Sequence, residues 1–204
     1  MVPQIRALFW DVGGVLLTNA WDREQRERAL AQFNLDEQEF HDRHAMVVSL
    51  LERGKISLDE YLLRTIFYHA RPFTQDAFKQ YIVSLSKPQA DVLEFARKLS
   101  ASGKFLMATI NNESTELNLY RINNFGLREI FTLFVSSCFV GLRKPEEGIY
   151  RLALAITQKS PDECCFIDDR ALNLESARAL GMHTIEMQTL ADLQHKLDEL
   201  GVRA

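Results

Sequence analysis

Four short stretches carry side chains that could share one piece of chemistry: Asp11-Val12-Gly13-Gly14-Val15, Asn111-Asn112, Lys144-Pro145 and Asp168-Asp169. Each closes or follows an apolar, strand-like run, the first being Ala7-Leu8-Phe9-Trp10. Neighbouring strands of a parallel sheet lie about 5 Å apart, and open α/β sheets bind ligands beyond the carboxyl ends of their strands. Such a sheet would bring Asp11, Asn111, Lys144 and the pair Asp168-Asp169 to one crevice. Carboxylates gathered around a single ammonium suit a hard divalent cation with oxygen ligands, best Mg2+, which keeps places for water and phosphate. A carboxylate left over beside the metal stays ionised and can act as a nucleophile. Gly13 and Gly14 let the backbone approach closely, so that a carbonyl can bind metal and amides can face phosphate oxygens.

The elements that must position these groups follow from hydrophobic periodicity. Ile5–Trp10 is the first predicted strand. Residues 20–86 then show helical period without a strand: Phe40, His44, Val47, Val48 and Leu51 share a stripe, and Ser57-Leu58-Asp59-Glu60 reads as a capping box. From Pro88 onward helices and strands alternate. The predicted strands are Phe105–Ile110, Phe131–Ser137, Cys164–Ile167 and His183–Met187, and Pro145 is expected in the first turn of a helix running to Ile156. Alternation of this kind implies right-handed crossovers and a parallel sheet. The expected fold is α/β: a doubly wound, Rossmann-like core of residues 1–17 and 88–204, with an all-helical cap, residues 18–87, inserted after strand one.

Composition narrows the function classes. The 204 residues are 47% hydrophobic, with a net charge of −4 spread over both signs. That gives no electrostatic footprint for nucleic acid or an anionic membrane. The mixed run Asp22–Arg28 reads as a solvated helix face. No stretch approaches the roughly 20 apolar residues of a membrane span, and Met1-Val2-Pro3-Gln4 lacks an export-signal pattern. Cys138, Cys164 and Cys165 suit neither a disulfide framework nor a metal site, which points to a reducing cytoplasm.

Together with Ile110-Asn111-Asn112-Glu113, Gly141-Leu142-Arg143-Lys144-Pro145 and Phe166-Ile167-Asp168-Asp169-Arg170, the Asp11 stretch resembles the four ordered motifs of the haloacid dehalogenase-like hydrolases. Arg53-Gly54-Lys55-Ile56-Ser57 and Gly148-Ile149-Tyr150 are similar to its branch of sugar-phosphate phosphatases and epoxide hydrolase phosphatase domains. The resemblance implies that Asp11 is a nucleophile forming an aspartyl-phosphate. It implies that the Gly13 carbonyl, Asp11 and the pair Asp168 and Asp169 hold Mg2+, with Asp169 the metal ligand of the pair and Asp168 the partner of Lys144. Asn111 falls where the family bonds phosphate through Ser or Thr, and Asn112 matches a frequent Asn beside it. Lys144 balances charge on nucleophile and phosphate. The implied ligand is a small phosphorylated metabolite.

Two departures from that pattern stand out. Gly13 occupies the place of a second Asp that protonates the leaving group and later activates water, help generally worth ~10²–10⁴-fold. Asn111 replaces Ser or Thr. An enzyme without that acid is expected to favour good leaving groups such as sugar 1-phosphates or acyl phosphates. Two alternatives share the motifs: a metal-independent 2-haloacid dehalogenase, and a non-catalytic module that binds a phosphorylated ligand or protein. Near the mouth of the crevice, Trp21 is a candidate to stack on substrate, and Asn19, Asp22, Arg143, Ser136 and Ser137 lie close by position. His41 and His44, three apart, lack a third ligand for a metal of their own.

Overall fold

The computed structural model describes residues 4–203. Residues 1–3, on which the reading of the export signal rests, and residue 204, the end of the expected core, lie outside the described residues.

Strand β1 (Ala7–Trp10) is buried at every position, as its continuous apolar run demands of a central strand covered on both faces. Four helices follow: α1 (Arg23–Gln32), α2 (Glu37–Glu52), α3 (Leu58–Thr65) and α4 (Gln75–Ser84). Each starts on a side chain that accepts a hydrogen bond from the first turn: Asp22 from Gln25 N–H, Asp36 from Glu39, Ser57 from Glu60 and Thr74 from Ala77. The capping box expected at Ser57 is half formed, because the Glu60 carboxylate pairs with Arg64 instead. The four helices share an apolar cluster built around Phe40, Tyr61, Leu62 and Phe78, to which Leu117 also contributes.

Helix α5 (Ala90–Ala101) opens the alternating part: β2 (Leu106–Asn111), α6 (Thr115–Asn124), α7 (Leu127–Ile130), β3 (Leu133–Ser136), α8 (Ser137–Val140), α9 (Glu147–Thr157), β4 (Cys164–Asp168), α10 (Ala171–Ala179), β5 (His183–Glu186) and α11 (Leu190–Glu199). The short α7 and α8 lack the length to show a period, and the sequence reading did not find them. Every strand pair is parallel, in the order β3-β2-β1-β4-β5. Leu8 and Trp10 face a cluster supplied by α5, α7 and α11, whereas Ala7 and Phe9 face α9 and α10. The period-2 alternation of one strand thus serves two helical layers.

Pro145 corrects an expectation. It precedes α9 rather than lying in its first turn, and Glu146 is the N-cap residue. Both backbone groups of Lys144 are tied to the side chain of Asn112, which holds the segment outside the helix. A residue before proline also disfavours the helical region. No helix among the described residues is long and apolar enough to cross a membrane.

Candidate active site

Asp11 follows the last residue of β1, and its amide extends the ladder to Ile167 O at 2.8 Å. Asp168 ends β4, the strand beside it. Two adjacent strands therefore deliver two carboxylates to one edge. Lys144 Nζ lies between them, 2.9 Å from Asp11 Oδ1 and 2.6 Å from Asp168 Oδ2. Asp168 is wholly buried, and its oxygens also accept from the Arg170 amide at 2.8 Å and from Asn173 Nδ2 at 3.0 Å. Each of its oxygens is engaged, so Asp168 fixes Lys144 and the start of α10. Asp169 differs: its Oδ1 is buried and has no hydrogen-bond partner.

Carboxylate oxygens of Asp11, Asp168 and Asp169 lie within 4.8 Å of one another. Burial pushes the Asp11 carboxyl up to about 7 even though the Lys144 ammonium pulls the other way. Asp169 is raised as well, by burial and then by Asp168. Burial also works against the charge on Lys144, but Asp11 and Asp168 outweigh it and hold the ammonium above the ordinary lysine range. Three carboxylates around one ammonium leave excess negative charge in a dry place. A hard divalent cation with oxygen ligands fits that excess, and Asp169 Oδ1 is a donor with nothing else to bind.

The two glycines have distinct functions. Gly14 has φ +80°, and a Cβ there would lie 2.1 Å from Asp169 Oδ2, so only glycine lets this carboxylate approach. Its amide donates to Leu17 O at 2.7 Å and its carbonyl accepts from Gln89 Nε2 at 3.1 Å. The expectation that the Gly14 amide faces phosphate therefore meets an amide already used to close the turn. At Gly13, a Cβ would lie 2.8 Å from Asn19 Oδ1 and 3.4 Å from Arg121 Nη1. The space of the missing acid is bordered by an amide and a buried guanidinium.

Asn111 also departs from expectation. Its Nδ2 donates to Asn118 Oδ1 at 3.0 Å and its Oδ1 accepts from Ser136 Oγ at 2.8 Å, so the amide ties β2 to α6 and β3. An Asn is long enough to reach these neighbours where Ser or Thr would stop short. Asn112 clamps Lys144, donating to its carbonyl and accepting from its amide, both at 2.8 Å. Trp21 packs edge-on against Phe40 and Phe78 and donates from Nε1 to Tyr61 Oη at 3.1 Å, with part of its surface left open. His44 meets the same hydroxyl through Nδ1 at 2.7 Å, and burial, then Arg26, hold its pKa down at about 3. His41 groups instead with Glu27 and Glu37.

Above these groups lies a cavity of about 640 Å³ between the strand ends and α1–α2. Asp11, Gly13, Asn112 and Lys144 line it from below, and Trp21, Arg26, His44 and Val48 from above. Asn111 and Gly14 are not among its lining residues. Several lining groups carried no sequence signal. Arg121, almost fully buried, pairs with Glu113 Oε2 at 3.0 Å and donates to Ser86 Oγ and Thr18 O. Arg143, expected near the site by its position, lines the cavity and pairs with Glu52 at 3.0 Å. Arg26 corrects the reading of Asp22–Arg28 as a solvated face. Arg23–Glu27 and Arg28–Glu24 are exposed pairs one turn apart, but Arg26 turns to the cavity and donates to Trp21 O at 2.6 Å.

A family model described as haloacid dehalogenase-like hydrolase matches residues 5–181. Bifunctional epoxide hydrolase 2 of Rattus norvegicus is 30% identical over 120 residues, 57% of this chain but 21% of that protein. Flavin mononucleotide hydrolase 1 of Arabidopsis thaliana is 27% identical over 160 residues, 78% of this chain and 64% of that one. The chain thus spans about a fifth of the first relative and under two thirds of the second. Among solved structures, a HAD-family enzyme of Bacteroides thetaiotaomicron superposes with a TM-score of 0.81 at 22% identity, covering 95% of this chain and 98% of that one. The same enzyme has also been solved with magnesium and inorganic phosphate.

Proposed function

This chain belongs to the haloacid dehalogenase-like hydrolase family, and we propose that it hydrolyses phosphomonoesters of small metabolites with the help of Mg2+. The reading takes residues 1–17 and 88–204 as the catalytic core, 18–87 as the cap that contacts the substrate, and a reducing cytoplasm as the setting. Three free cysteines, two of them buried, agree with that compartment. The observation that carries the proposal is the carboxylate cluster of Asp11, Asp168 and Asp169, in which Asp169 Oδ1 is buried and unpartnered. Asp11, Asp169 and the Gly13 carbonyl would hold the ion. Once bound, the ion neutralises phosphate charge and keeps Asp11 ionised.

The chain's own groups account for the rest. Asp11 Oδ1 accepts from the Val12 amide at 2.7 Å and from Lys144, which leaves Oδ2 to attack phosphorus. That attack forms an aspartyl-phosphate and breaks the ester P–O bond, and the departing oxygen takes a proton from solvent water. Water then attacks the phosphorus, releasing inorganic phosphate and restoring the Asp11 carboxylate. Lys144 stays fixed by Asp168 and Asn112 throughout. No side chain at Gly13 supplies the proton, so the first step depends on leaving-group basicity. Sugar 1-phosphates and acyl phosphates are the favoured substrates for that reason.

A phosphate-release screen with and without Mg2+, using Asp11→Asn as control, tests the proposal. Release that needs both Mg2+ and Asp11 upholds it. Metal-independent halide release from 2-haloacids would favour the dehalogenase. Thermal stabilisation by phosphorylated compounds without turnover would favour a binding module.

A further inference from the structure

The upper part of the cavity carries more positive charge than its neighbours neutralise. Four arginines besides Arg121 line it: Arg23, Arg26, Arg143 and Arg170. Arg23 is paired with Glu27, and Arg143 with Glu52. Arg26 has no carboxylate within ion-pair distance among the described residues. One nitrogen of its guanidinium is anchored on Trp21 O, while Nε is shielded from solvent and bonds to nothing. Arg170 uses its backbone amide on Asp168 Oδ1, and its guanidinium joins no hydrogen bond or ion pair among the described residues.

Shielding a guanidinium N–H without a partner is costly, since a buried polar group is stable only when it is bonded, and Arg26 Nε is such a group. Anchoring the Trp21 carbonyl occupies a single Nη. It gives no reason for a second unneutralised guanidinium on a core loop to border the same space. Lys144, at the floor of the cavity, is paired with Asp11 and Asp168 and would serve the reacting phosphate. What Arg26 and Arg170 share is access to the part of a substrate that points away from Asp11.

We propose that Arg26 and Arg170 form a second anion site, which binds a phosphate or carboxylate on the leaving portion of the substrate. This deepens the phosphatase reading and rests on it: the substrate is a phosphate ester whose leaving group is itself anionic, such as a sugar bisphosphate. Guanidinium forks suit either anion, because both present paired oxygens to two N–H groups.

Matched substrate pairs test the site. Glucose 1,6-bisphosphate is compared with glucose 1-phosphate, and 4-carboxyphenyl phosphate with phenyl phosphate, in the wild type, Arg26→Gln and Arg170→Gln. The ratio of kcat/KM within a pair is expected to favour the anionic leaving group by at least about tenfold in the wild type and to collapse toward one in the variants. The pair that shows the larger ratio identifies the anion as phosphate or carboxylate. Arg170 is exposed, so its variant remains informative if Arg26→Gln fails to fold. Ratios near one in the wild type, or ratios unchanged in both variants, overturn the site. If no compound releases phosphate, the hydrolytic reading fails by itself. Calorimetric titration of the same pairs onto Mg2+-loaded protein then decides the anion site: tighter binding of the bisphosphate, lost in Arg170→Gln, upholds it, and equal affinities overturn it.

Discussion

Replacing Gly14 by Ala should disable the metal cluster while leaving the fold intact. The added methyl would lie 2.1 Å from Asp169 Oδ2 and 2.5 Å from its Cγ. Non-bonded carbon contacts are optimal at about 3.5–4.0 Å, so the carboxylate must retreat by roughly 1 Å or more. Mg2+ accepts ligands only near 2.0–2.1 Å in close to octahedral geometry, and a displacement of that size removes Asp169 from the set. The φ of +80° adds strain of about 1–2 kcal/mol for a residue with a Cβ, and overpacking adds about 1–3 kcal/mol. Urea denaturation in EDTA should therefore show a loss of about 2–5 kcal/mol. The decisive readout is the gain on adding Mg2+. At 100 times its Kd an ion that binds only the folded protein stabilises by about 2.7 kcal/mol, and Gly14→Ala should show almost none of that. Gly103→Ala is the control, because φ there is +65° but a Cβ would meet nothing within 4 Å. It bears the strain and keeps the Mg2+ response. A Gly14→Ala protein with wild-type Mg2+ stabilisation would refute the assignment of Asp169 as ligand.

Asp11 sets an unusual pH dependence in the metal-free protein. Its folded pKa of about 7 lies above the unfolded 3.8, so the fold prefers the protonated acid, and stability falls as pH rises toward 7. Between pH 5 and 8 the share due to Asp11 is about 3 kcal/mol; in EDTA, Asp11→Asn should lose less stability than the wild type over this range, and parallel curves would contradict the assignment. Lys144→Met leaves Asp11 and Asp168 without their shared cation and should cost about 3–5 kcal/mol in urea denaturation. A loss under about 1 kcal/mol would show that the carboxylates do not depend on it. Gly13→Asp restores an acid where only the far end of the Asn19 side chain and Arg121 crowd it. It should speed hydrolysis of alkyl phosphates by about 10²-fold or more; no gain in a folded, Mg2+-bound variant means that another group supplies the proton.

The positions of the acids were legible because strands announce their ends. Ala7–Trp10 and Cys164–Ile167 are unbroken apolar runs, and a carboxylate directly after such a run has to emerge at the sheet edge. The start of the helix after Ser57 was equally legible, since that serine caps through a short-range bond that spacing alone specifies. Where side chains turn once they reach the site was not legible. Asn111 bonds Asn118 and Ser136, partners supplied by two other elements, and the amide of Gly14 closes its own turn. Arg26 shows the limit most clearly. Its neighbours in the charge run pair along the exposed face of α1, and only the packing of α1 over the core decides that this one arginine looks inward.

The place of β1 at the centre of the sheet has a consequence for how the chain is made. Its two hydrogen-bonding partners begin at Leu106 and Cys164, so the strand leaves the ribosome long before either edge can be covered. At 5–20 residues per second the wait before β4 is finished is on the order of ten to thirty seconds. For that interval an apolar segment with two open edges is a template for pairing with other chains. The helices of 23–84 have only local partners to find and can collapse meanwhile. Asp11 therefore sits beside the segment with the slowest assembly, and factors that delay completion of the sheet act first on it.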